Sequence, residues 1–153
     1  MYYVIVILFF VVCPALSVVA EASGAGHPVN LLPLIGKWYV FWAVGIRGFT
    51  AGVWQVIQPR FTAEEIFRIR DPESHAIVRE VGFGNLSMGL LGICSLYRAG
   101  WIVPAAVVGG LYYGLAGLGH VFKKGKNAME QTAMFSDAFA FLVLTIFVVK
   151  SLA

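Results

Sequence analysis

Five separate stretches of this 153-residue chain are each mostly apolar over about the length a helix needs to cross a bilayer, roughly 20 residues. They run from Tyr2 to Ala20, Trp38 to Ile57, Val81 to Tyr97, Trp101 to Phe122 and Ala133 to Val149. A soluble domain cannot hide them all, because a folded chain near 150 residues still exposes about 30% of its unfolded surface. Composition agrees: 59% of residues are hydrophobic, 12% are charged, and the mean hydropathy is +0.82. These values exclude an ordinary soluble enzyme, a disordered chain and a nucleic-acid-binding module. The expected class is an all-α integral membrane protein of five transmembrane helices, with the lipid bilayer as its first partner.

Charge sets the expected topology. With five spans, the amino terminus shares a side with the segments from Gln58 to Glu80 and from Lys123 to Thr132. That side carries Arg60, Arg68, Arg70, Arg79, Lys123, Lys124 and Lys126, against Lys37, Arg98 and Lys150 on the other. Lys and Arg collect in cytoplasmic loops, so the amino terminus is expected in the cytoplasm and the carboxyl terminus outside, in a bacterial inner membrane. Residues 1–20 read as an amino-terminal span. Val18-Val19-Ala20 resembles a signal-peptide cleavage site, but no Lys or Arg precedes the apolar run and the run is long enough to cross. Residues 21–37 read as an external loop in which His27 is solvated. Residues 38–153 form the expected four-helix unit, interrupted by a cytoplasmic segment, 58–80. In that segment Thr62-Ala63-Glu64-Glu65 has the spacing of a capping box before Ile66, Phe67 and Ile69. A short amphipathic helix on the membrane surface is predicted there. Asp71-Pro72-Glu73 then predicts the start of the third helix.

Helices in lipid associate through close packing and polar contacts rather than hydrophobicity. Gly45, Gly48 and Gly52 share one face of the second span. Gly82, Gly89 and Gly92 line up in the third, and Ala106, Gly110, Gly114 and Gly117 in the fourth. These stripes predict a tight bundle. Cys13 and Cys94 form no C-x-x-C pair and read as buried packing residues.

Arg47 falls near the middle of the second span, where an unpaired guanidinium costs at least about 2.5 to 3.5 kcal/mol. It needs a partner. Thr50, Trp54 and Gln58 lie on its side of the helix. At about 1.5 Å per residue, Arg47 stands about 15 Å below the outer boundary, Asp137 about 20 Å and Glu80 about 27 Å, so depth favours Asp137. Glu130 lies nearer the cytoplasm. Arg47, Glu80, Asn85, His120 and Asp137 are therefore expected to line one inward-opening polar pocket. A buried pair beside a His suits proton handling or a quinone headgroup; the same residues also suit a structural ion pair that pins the bundle. No hydrolase, nucleotide-binding or metal-binding motif is present, and no cofactor ligand is evident.

Arg47-Gly48-Phe49-Thr50-Ala51-Gly52-Val53-Trp54, closed by Pro59, resembles the first helix of the DoxX-like membrane proteins. Glu80-Val81-Gly82-Phe83-Gly84-Asn85, running into Gly89, Leu90, Leu91 and Gly92, is similar to that family's glycine-rich second helix. The hairpin through Trp101 and the His120 that ends it are similar too. The resemblance covers residues 38 to 150 and departs from the family in its extra first span and in the insertion from Phe61 to Ser74. It also extends to an uncharacterised bacterial branch with the string Arg-Gly-Phe-x-Ala-Gly-x-Trp-Gln. The resemblance implies a four-helix antiparallel bundle and, loosely, membrane redox systems such as thiosulfate to quinone oxidation. The function expected from it is a non-catalytic accessory subunit that docks a redox partner or binds a quinone-like lipid. Self-association and a small proton-coupled transporter or channel using the Arg/Asp/Glu group are the other expectations.

Overall fold

The computed structural model describes residues 2–153, and every regular element among them is helical. Five helices are long and apolar enough to cross a membrane: α1 (Tyr2–Gly24), α2 (Leu31–Ile57), α3 (Ser74–Cys94), α4 (Ala99–Phe122) and α5 (Ala128–Leu152). At most 33% of the apolar window of any of them is buried inside the molecule, so most of their apolar surface points outward.

Helices α2 and α5 begin ahead of their apolar runs on side-chain caps, whereas α3 ends at Cys94, short of the expected Tyr97. Helix α2 begins seven residues before Trp38, because the Asn30 side chain accepts the Leu32 N–H at 3.1 Å and Pro33 falls within the first turn, where its missing N–H costs nothing. The expected loop 21–37 therefore shrinks. Its ends join α1 and α2, and Glu21 on α1 grips Lys37 at 2.7 Å and accepts the Trp38 indole N–H at 2.7 Å. His27 is exposed, as expected. Helix α5 starts at Ala128, ahead of the expected Ala133, on a complete capping box: Asn127 Oδ1 accepts Glu130 N–H at 2.8 Å, and Glu130 Oε2 accepts Asn127 N–H at 3.1 Å. The box expected at Thr62 does not form. Thr62 lies inside a short π-helical segment, Phe61–Ile66, and is 7% exposed.

Helix α2 is the hub, touching α1, α3, α4 and α5. The tightest pairs are α2 with α3 and α4 with α5, whereas the hairpin partners α3 and α4 touch less. The glycine stripes explain this. A Cβ on Gly52 would stand 2.7 Å from the Leu86 nitrogen, and one on Gly45 2.9 Å from the Gly92 carbonyl carbon. Gly89 backs onto the Phe49 backbone, and Gly82 onto Gln55 and Val56. Across the other pair, Gly110 meets Leu144, Gly114 meets Phe141 and Gly117 meets Asp137. Ala106 is fully buried. Helix α1 is part of the same core: Val6 and Phe10 are buried, Phe10 packs edge-on to Tyr113, and Trp42 donates to the Ser17 hydroxyl at 2.9 Å. Cys13 and Cys94 are free and half-buried.

Both α1 and α2 widen into π-helical turns where they meet, Leu8–Val12 and Val40–Ile46. Such turns make i→i+5 bonds and shift the helix phase. In α2 the Ala43 carbonyl accepts the Tyr113 hydroxyl at 2.5 Å.

Candidate functional site

Arg47 immediately follows the π turn of α2, halfway along the helix. Its Nε is buried without a hydrogen-bond partner, and it makes no ion pair among the described residues. Asp137 is within electrostatic reach of Arg47 but contacts His120 instead, with Nε2 and Oδ2 4.0 Å apart and side chains only 15% and 14% exposed. The reason lies in the α4–α5 seam. Gly117 brings the Asp137 backbone against α4, and one turn further along His120 faces the carboxylate. The expected direct Arg47–Asp137 ion pair is thus replaced by a looser arrangement with His120 between helices.

Several tyrosines lie near this group. Tyr2 of α1 and Tyr112 and Tyr113 of α4 lie within electrostatic reach of both Arg47 and Asp137. Tyr39 is 4% exposed, and its buried hydroxyl has no partner among the described residues. No periodicity or charge rule singled these residues out in the sequence. What could have flagged two of them is burial, since Tyr39 and Tyr113 sit inside long apolar helices, where a phenol needs a partner.

Asn85 is buried at 3% exposure, and its amide donates to Gln55 Oε1 at 2.7 Å across the α2–α3 seam. Glu80 does not join the cluster. It is exposed, because α3 turns Gly82, Asn85, Gly89 and Gly92 toward α2, and Glu80 lies about 140° around the helix from Asn85. Thr50, on the Arg47 side of α2, donates to the backbone carbonyls of Ile46 at 2.8 Å and Arg47 at 3.1 Å, and Trp54 is 48% exposed on the outer surface. On α2 it is Gln55 that meets Asn85. Glu130 is fully buried, bonded to Lys123.

At the end of the molecule that carries most of the basic residues, His75 stands 3.6 Å from Glu64, far in sequence from the His120–Asp137 contact. A groove of about 870 Å³ opens there, lined by Tyr3, Arg60, Glu64, Glu65, Arg68, Arg70 and the α5 cap. A second, of about 540 Å³, lies beside it among Gln58, His75 and Arg79.

No curated protein and no solved structure matches the chain. One family matches almost end to end, over residues 1–152: this membrane-like helical protein belongs to the DUF6790 family, a family of unknown function.

Proposed function

We propose that the chain is a multi-pass protein of a bacterial inner membrane whose interior cluster holds the polar headgroup of a quinone-like lipid, as an accessory subunit to a membrane redox partner. The supporting observation is the state of Arg47: a guanidinium halfway along an apolar helix, with Nε buried and no carboxylate in contact. A guanidinium costs free energy at that depth unless something accepts its hydrogen bonds. A quinone supplies carbonyl acceptors on an apolar ring, which suits a buried N–H donor on a helix whose neighbours are apolar. The resemblance of α2 to the first DoxX-like helix supports the same reading.

The proposed orientation puts the basic end in the cytoplasm. A second reading, a proton-coupled transporter, is favoured by the His120–Asp137 contact, a pair of titratable side chains only 15% and 14% exposed. Glu80, on the outer face, takes no part in it.

The test is purification in mild detergent followed by lipid extraction and mass spectrometry. Wild type should retain an isoprenoid quinone and Arg47→Met should lose it while keeping its helical content. Wild-type protein free of quinone, purified from cells that make it, would sink the proposal.

A further inference from the structure

We infer that the groove of about 870 Å³ at the basic end binds the phosphate of an anionic phospholipid through Arg68 and Arg70. The position at the headgroup level rests on the membrane-spanning reading above: Tyr3 and Ala128, in the first turns of α1 and α5, line the groove where two apolar spans begin.

The charge inventory of the groove selects the donors. Arg60 is spent, because its Nε donates to both oxygens of Glu64 at 3.0 Å. Glu65 also lines the wall. Arg68 and Arg70 make no ion pair among the described residues, so two guanidinium groups face the groove uncommitted. A planar guanidinium fork matches phosphate oxygens two at a time. Exposed Phe61, Phe67 and Ile69 on the same segment offer apolar surface to acyl chains.

A backbone feature points independently to Arg68. It is the single non-glycine residue with positive φ among the described residues, at 59°. The π-helical segment closes around it, with Phe67 N–H donating to Thr62 O at 3.0 Å and Ile69 N–H to Ala63 O at 2.9 Å. Glycine usually takes such a left-handed position at a helix end, since a side chain there is strained. Arginine in that place keeps a strained backbone in exchange for a guanidinium in the groove. The wall is also held in place: Asn127, the cap of α5, donates its amide to Ile66 O at 3.2 Å.

The experiment uses the full chain in neutral detergent micelles doped with phosphatidylglycerol, with phosphatidylcholine, or with inorganic phosphate in the buffer, and reads the thermal unfolding midpoint. Phosphatidylglycerol should raise the midpoint by several degrees more than phosphatidylcholine, and inorganic phosphate should not. Arg68→Gly should lose most of that response although its lipid-free midpoint equals or exceeds wild type, since glycine relieves the left-handed residue. Arg70→Gln should lose it too, while Arg98→Gln at the opposite end keeps it in full. Equal responses to the two lipids, or full responses in Arg68→Gly and Arg70→Gln, would overturn the inference. A response to inorganic phosphate alone would overturn the lipid as occupant. Failure of the membrane reading is seen separately, as release of the protein from cell membranes by alkaline carbonate.

Discussion

Two glycines five residues apart on α3 should respond oppositely to the same added methyl group. A Cβ on Gly84 meets nothing within 4 Å, whereas a Cβ on Gly89 runs into the backbone nitrogen and Cα of Phe49 on α2. Within a helix, Gly→Ala removes backbone entropy from the unfolded chain and contributes about 0.5–1 kcal/mol of stability, so Gly84→Ala should stabilise by that amount. Gly89→Ala gains the same term but must push α2 away from α3, because the obstructing atoms are backbone and have no rotamer to adopt. Overpacking of that kind costs about 1–3 kcal/mol, which is also the expected separation between the two variants. At about 3 °C per kcal/mol for a chain of this size, the unfolding midpoints should differ by about 3–9 °C. The assay is thermal unfolding of the detergent-purified variants followed by helical circular dichroism. Midpoints within a degree of each other would refute the claim that glycine-to-backbone contact holds α2 against α3.

Three further outcomes are expected. Asn127→Ala removes both the cap of α5 and the tie to Ile66 O, and should cost about 1–2 kcal/mol in the same melt, with no change in the α2–α3 seam. Tyr113→Phe leaves the Ala43 carbonyl without its hydroxyl donor and should cost about 1–3 kcal/mol; a neutral substitution would mean that the π turn satisfies that carbonyl by itself. In a background lacking Cys13 and Cys94, Lys124→Cys in intact cells should resist a membrane-impermeant thiol reagent while Lys150→Cys at the other end reacts; the reverse pattern would invert the proposed orientation.

The five long apolar helices and the glycine seams were legible because both are one-dimensional signals. Apolar length needs only a count of residues, and Gly45, Gly48 and Gly52 stay on one side of α2 even across its π turn, all facing α3. Boundaries were less legible where polar or proline residues belong to helices. Asn30 ahead of Pro33 and Asn127 three residues before Glu130 are cap signals as strong as the Thr62 pattern, yet Thr62 is the one that failed. Pro59 explains that failure, since it sits where the helical turn leading into Phe61 begins and so places Thr62 inside the helix.

The polar cluster separates depth from azimuth. Depth along the helix axis put Arg47 and Asp137 at comparable levels, and the two are within electrostatic reach. Direct contact depends on rotation about each helix axis, and there two local features decide. The wide turn Val40–Ile46 resets the phase of α2 just before Arg47, and Gly117 draws α5 onto α4 so that His120 meets Asp137 first. Neither effect can be computed from spacing along one helix. Glu80 is the opposite case. Its azimuth follows from the glycines on its own helix, since Gly82 is two residues away and therefore about 160° around α3, on the side that packs against α2. A carboxylate on the far side of a packing stripe points away from the bundle, and in a bilayer it can stay charged only by reaching the headgroups. That requirement is consistent with its place six residues into α3, close to the basic end.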